Sequence, residues 1–171
     1  MQGIRKILDK VLVIINVILF IEMTIVGTYQ IVTRYFFNSP STISEELVTY
    51  SFTWLSILSA AYVFGKRGHL CMSFFSSKFS GKKRIYLDLF SETLILLTAV
   101  LLLIYGGYIM SAQNATQVTA SLGISMGFMY SVLPISGALI LIYSTMNILD
   151  LLKIYKSPDV EKYIGVSVSE S

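Results

Sequence analysis

Few residues of this chain combine a reactive type with a telling position. Glu22 stands alone inside a long apolar run, Glu45 and Glu46 adjoin one another just past the turn Asn38-Ser39-Pro40, Arg34 lies shortly before that turn, and Asp88 and Glu92 are one helical turn apart. A carboxyl within an apolar run is the kind of group that carries a proton or meets a counter-charge inside a membrane. Adjacent carboxylates near a guanidinium suit helix capping or an ionic contact. The single His69 cannot supply both axial ligands of a bis-histidine haem, and the single Cys71 allows neither an intrachain disulfide nor a Cys-x-x-Cys pair for redox or zinc. Cys71 reads as a small interfacial side chain, and His69 as a hydrogen-bonding residue that closes a helix. With no Gly-rich phosphate loop, nucleophile elbow or metal-ligand spacing, no catalytic residue, metal or cofactor is expected.

The elements that position these residues are four apolar runs, over 11–33, 47–64, 86–110 and 126–149. Each reaches or approaches the about 20 residues that a helix needs to cross a hydrocarbon core about 30 Å thick. Hydrophobic residues make up 54% of the chain and charged ones only 13%, with a mean hydropathy of +0.71, which is the composition of a membrane protein. The connections are too short to bury a core of their own, so 1–171 reads as one all-α integral membrane domain of four transmembrane helices. The first run exceeds the apolar core of a signal peptide, and Arg34-Tyr35-Phe36-Phe37-Asn38 lacks a small-residue cleavage pattern. It is therefore expected to remain as the first spanning helix.

Charge sets the orientation. Arg5, Lys6 and Lys10 precede the first run, Lys66, Arg67, Lys78, Lys82, Lys83 and Arg84 fall between the second and third, and Lys153, Lys156 and Lys162 follow the fourth. Arg34 is the one basic residue on the other side. The positive-inside rule makes both termini and the middle connection cytoplasmic, so the net charge of +3 reflects topology and attraction to anionic lipid rather than nucleic-acid binding. Between the second and third runs, 72–84 mixes Phe74, Phe75 and Phe79 with Lys78, Lys82, Lys83 and Arg84. Two readings satisfy that mixture: a short amphipathic helix lying among lipid headgroups, or an ordinary basic loop.

Glu22 is eleven positions into the first run, about 16 Å deep at the helical rise, near the bilayer centre. An ionised carboxylate facing lipid there costs several kcal/mol, so it is protonated, reaches for the interface, or turns toward protein. Tyr29 and Thr33 lie close to the same helical face and make a weakly polar stripe suited to a helix interface. On the outer side, Thr42-x-x-Glu45 matches a capping box and places the start of the second helix near Ile43 or Ser44. Capping accounts for one of Glu45 and Glu46. The second, with Arg34, points to an ionic cluster that fixes the first two helices or receives a partner. Asp88 and Glu92 are expected to be solvated or paired with Lys82, Lys83 or Arg84. The connection 112–125 carries no charge and reads as a solvated outer loop, Gly106-Gly107 permits close helix approach, and Pro134 is expected to kink the fourth helix. Trp54, midway along the second run, reads as a packing anchor against a partner.

Read in order, Gln30-Ile31-Val32-Thr33-Arg34-Tyr35-Phe36-Phe37-Asn38-Ser39-Pro40, Ser44-Glu45-Glu46-Leu47, Trp54, Gly68-His69-Leu70, Leu122-Gly123-Ile124 and Pro134-Ile135-Ser136-Gly137 form a specific series. It resembles the small membrane subunit, the Q component, of tripartite ATP-independent periplasmic transporters. The resemblance covers about Gln30 to Gly137. Ser73 departs from the acidic residue that usually follows the family's His motif, and Ser125 from the Pro that commonly follows Gly-Ile.

The resemblance implies a sodium-coupled importer in the bacterial inner membrane. In it a periplasmic binding protein delivers an organic acid, such as sialic acid or a C4-dicarboxylate, to a two-subunit membrane complex. The large M subunit would hold the substrate and sodium sites and move as an elevator, while the small subunit scaffolds it and helps dock the binding protein. On that reading Glu22, Tyr29, Thr33 and Trp54 face the large subunit, Arg34, Glu45 and Glu46 lie at the periplasmic edge as partner contacts, and Lys78, Lys82, Lys83 and Arg84 meet lipid headgroups. The rival is a self-sufficient small multidrug exporter using Glu22 as its coupling carboxylate, which the strong charge bias and the outer motifs do not suit. A third reading, an assembly or lipid-interacting protein, would lack a permease partner.

Overall fold

The computed structural model describes residues 2–66 and 82–156. Among the described residues the structure is mainly helical, with four helical spans long and apolar enough to cross a membrane, Gly3–Phe36, Thr42–Gly65, Tyr86–Gln113 and Met126–Lys153. Among the described residues extended pairing is limited to one isolated bridge, Val118 with Ser125.

Helix α1 covers Gln2–Phe36, whose 35 residues make a rod about 52 Å long, longer than the expected 11–33 at both ends. The extension exists because the turns beyond the apolar run find partners, as described below for Arg5 and Asp9. Helix α2, Thr42–Gly65, starts one or two residues before the expected point, and its cap is Ser41 rather than Thr42. Ser41 follows Pro40 in an extended conformation, φ −93 and ψ 105, which aims its hydroxyl at the open amide of Ser44, 3.4 Å away. Thr42 is already helical and cannot serve.

The third span is composite: α3, Lys82–Thr98, runs into a π-helical stretch, Ala99–Gly106, and then into α4, Gly107–Gln113. Lys82, Lys83 and Arg84 thus stand in the first turn of the third helix, which starts four residues before the expected start of that span. Lys78, the rest of 72–81, His69, Cys71 and Ser73 lie outside the described residues. The fourth span is α5, Met126–Tyr130, and α6, Val132–Lys156. The expected kink at Pro134 occurs upstream of it. A proline ring clashes with the carbonyl four residues back, here that of Tyr130, so α5 ends at that residue and Pro134 sits in the first turn of α6, where a missing N–H costs little.

The spans pack in the order α1, α2, α6 and then α3 with the π stretch, so α6 is the most enclosed and α1 leans on α2 from outside. Leu12, Leu58, Val132 and Tyr143 form one core, and Ala61, Ala99 and Ile140 a second. Without a hydrophobic drive between helices in lipid, such close van der Waals packing is what holds spans together. Gly107, not Gly106, is the point of close approach: a Cβ there would come within 2.7 Å of the Leu133 side chain.

Candidate functional site

Polar groups gather in three places, and the first, at the basic end of the bundle, was not legible in the sequence. Arg5, in the first turns of α1, donates through Nη2 to the Gly65 carbonyl at 2.5 Å and to Asn147 Oδ1 at 2.7 Å, with Nη1 3.7 Å from the Asp150 carboxylate. Asn147 donates to Glu92 Oε1 at 3.0 Å, and the Ser144 hydroxyl lies 2.9 Å from Glu92 Oε2 and 3.0 Å from the Glu92 carbonyl. The Tyr143 hydroxyl donates to Asp9 at 2.7 Å. All four spans are tied by these bonds. Glu92, expected to be solvated or paired with Lys82, Lys83 or Arg84, is not solvated: it is 8% exposed and accepts from Ser144 and Asn147 of α6. Its burial has a physical reason: α6 brings Ser144 and Asn147, one helical turn apart, to the depth of Glu92, and a carboxylate given donors there can lie out of solvent. The signal available in the sequence was that an Asn and a Ser interrupt an apolar run at the depth of a carboxylate in the neighbouring run.

At the rim of this cluster the Lys66 ammonium sits 4.5 Å from the centre of the Tyr62 ring. Its hydrogen bond with Tyr62, and further the charge of Asp9, hold the amine above its ordinary pKa, so the cation persists into more alkaline solution.

The second place is the middle of α1. Both carboxyl oxygens of Glu22 and the Oδ1 of Asn16 are shielded within the chain and meet no hydrogen-bond partner. Tyr29, at 57% exposure, points out of the chain, and the Thr33 hydroxyl turns back to the Tyr29 and Gln30 carbonyls at 3.0 and 3.1 Å. The three residues of the expected stripe therefore have three different surroundings. Trp54 packs inside the chain, its indole N–H donating to the Met129 carbonyl at 3.2 Å and its ring 5.6 Å from that of Phe128.

The third place is the far end. Glu46 accepts hydrogen bonds from three successive amides, those of Ala120, Ser121 and Leu122, at 3.2, 2.9 and 2.8 Å. The uncharged connection expected to be solvated is folded: Thr119 N–H donates to Ile124 at 2.8 Å, Met126 N–H to Gln117 at 2.8 Å, Gly123 turns with φ 66, and Thr119 is buried. Glu45 and Arg34 are exposed, and among the described residues no ion pair joins them to each other or to Glu46. Beside them an open cleft of about 720 Å³ separates the end of α1 from the start of α2, lined by Tyr29, Thr33, Phe37, Pro40 and Ile43. Among the described residues no group of His, Cys, Asp and Glu is placed to hold a metal ion.

Four apolar spans, one of them leaning outward and tied to the others by polar bonds at the basic end, define a multi-span helical membrane protein. The sequence profile described as "Tripartite ATP-independent periplasmic transporters, DctQ component" matches residues 23–154, and the chain belongs to that family of transporter components, which are not enzymes. It is 32% identical over 171 residues to the sialic acid TRAP transporter small permease protein SiaQ of Vibrio cholerae serotype O1, covering all of this chain and 94% of that one. It is also 26% identical over 140 residues, 82% of this chain and 86% of the other, to a Haemophilus influenzae protein named "Putative TRAP transporter small permease protein".

Proposed function

We propose that this TRAP small permease subunit serves a sodium-coupled importer of a carboxylate substrate, with sialic acid as the first candidate because the likeness to the Vibrio cholerae SiaQ runs the full length of the chain. The substrate and sodium would be held by a large membrane partner. This chain would scaffold that partner in the inner membrane, with the basic end and both termini cytoplasmic, the amines of Lys78, Lys82, Lys83 and Arg84 among anionic headgroups, and the far end presented to a periplasmic binding protein.

One observation carries the scaffold role. Helix α1 exposes Ile14, Ile18, Ile21, Ile25 and Tyr29 along its length while Glu22, at its middle, has a carboxyl with no hydrogen-bond partner. Lipid can cover the apolar side chains but offers nothing to the carboxyl, whose oxygens are shielded in the free chain; a rotamer change turning it outward toward a donor on a protein surface would match it. On this reading Glu22, Tyr29 and Thr33 meet the large subunit, and Arg34 and Glu45 are the free charges at the docking edge.

The test is co-expression with the large permease and the binding protein, purification through a tag on this chain, and sialic acid uptake into liposomes. A stoichiometric complex whose uptake requires an inward sodium gradient and added binding protein is the expected result. A chain that purifies as a homodimer and exports cationic dyes would overturn the reading.

A further inference from the structure

Glu46 lies in the first two turns of α2, and the amides it accepts belong to a connection more than 70 positions later in the chain. Three consecutive N–H groups converging on one carboxylate form a nest, in which each bond is charge-assisted. Beyond the bonds within 114–128, α2 reaches this stretch through the Tyr50 hydroxyl, 3.3 Å from Met126 Sδ at the end of the connection, and through the tether Glu46, which alone among the described residues binds the 120–122 amides. Around the tether the loop turns Thr119 inward, at 2% exposure, and leaves Val118 at 65% and Ile124 at 37% exposed. Among the described residues Val118 is largely uncovered and Ile124 partly so, and both sit at the end opposite the basic cluster.

We propose that Glu46 is a positioning residue: its carboxylate holds the 114–125 connection over the start of α2 and so fixes the surface, centred on Val118 and Ile124, that receives the binding protein. Glu46 does not itself touch that partner, because its oxygens are occupied by the three amides. The inference rests on the reading that the far end docks the binding protein, and it divides the adjacent carboxylates by role, Glu45 as an exposed charge and Glu46 as an internal clamp.

The experiment uses the full complex with the large subunit, in liposomes, and follows two quantities: hydrogen exchange of the amides over 119–124, and initial uptake as binding protein is titrated. Glu46→Ala is expected to speed exchange of those amides about ten- to a hundredfold, the size set by losing charge-assisted bonds to a closed loop. The concentration of binding protein giving half-maximal uptake should rise several-fold while the maximal rate stays within about twofold, since the transport machinery is untouched. Glu46→Asp, which keeps the charge on a shorter arm, should recover part of both effects, and Glu46→Gln, which keeps an acceptor without the charge, should fall between. Exchange unchanged in Glu46→Ala would overturn the clamp. Exchange accelerated with an unmoved half-saturation would overturn the link from clamp to docking. The underlying reading is checked separately by Val118→Asp with Ile124→Asp, which alters the surface and leaves the clamp: an unmoved half-saturation there removes docking at this end whatever Glu46 does.

Discussion

At the basic end of the bundle, Arg5, Glu92, Ser144 and Asn147 meet one another across three spans, and Asp9 meets Tyr143 beside them. At the middle of α1, Glu22 and Asn16 hold buried oxygens that meet nothing. Both regions place carboxyls and amides among apolar helices, where an unmatched polar group costs about 1–3 kcal/mol or more. They differ in what surrounds them: the basic end lies between α1, α2, α3 and α6, whereas α1 along its length packs chiefly on α2. A polar group among several helices of its own chain can be matched by them, whereas Glu22, on an outlying helix and shielded there, stays unmatched until its side chain turns outward to a partner. The first kind is structure and the second is an unfinished interface.

The comparison breaks first if the basic end is not a rigid network, and the strongest probe of that is Gly65→Ala. A Cβ at Gly65 would lie 2.7 Å from Cγ and Cδ1 of Tyr143, a ring that is 1% exposed and anchored through its hydroxyl to Asp9. The ring cannot yield without giving up that bond, and the Gly65 carbonyl that receives Arg5 would shift with it. A loss of about 1–3 kcal/mol is expected in reversible detergent unfolding, the usual effect of overpacking a closed site. Wild-type stability in the variant would mean that the contact relaxes freely and that the network is not rigid.

Next in size is Glu92→Ala, which removes the carboxylate that Asn147 and Ser144 share at this buried position and leaves Ser144 the carbonyl of residue 92. The same titration should show a loss of about 1–2 kcal/mol, at the upper end of what hydrogen bonds between membrane helices contribute. Glu92→Gln keeps an oxygen for Asn147 and should lose less. Equal losses from the two variants would say that charge, not hydrogen bonding, holds the cluster together.

How much of this was legible in the sequence follows from the same division. The spans are written in runs of apolar residues, and a run needs no partner to be recognised, so the four spans appear where hydropathy places them. Their ends are less legible, because a helix stops where its last amides or carbonyls find other partners: Ser41 rather than Thr42 caps α2 because of the conformation that follows Pro40, and α5 ends at Tyr130 because of a ring four residues on. Glu92 was read as a surface charge since nothing local to 88–92 reveals that Ser144 and Asn147, more than 50 positions away, arrive beside it. Glu46 was read as a cap or a partner contact for the same reason, its three amides lying far along the chain. Glu22 was conspicuous in the sequence because its anomaly is local, a carboxyl within an apolar run.

Glu22 therefore gives the last and smallest effect, and one of opposite sign. Glu22→Gln changes little in shape and removes a charge-bearing group that has no partner in the chain, so the isolated subunit should unfold at equal or slightly greater detergent, a gain within about 1 kcal/mol. Glu92→Gln at the basic end should never stabilise. If the large subunit completes the interface, Glu22→Gln should at the same time weaken co-purification with it, because a neutral amide is a poorer acceptor for a donor that approaches from outside. A destabilised isolated subunit would show that Glu22 has a match inside the chain and would erase the difference between the two regions. Unaltered stability together with unaltered assembly would leave the difference standing and assign the outer face of α1 to lipid, since a membrane tolerates the amide as readily as it tolerates a carboxyl folded back against its own helix.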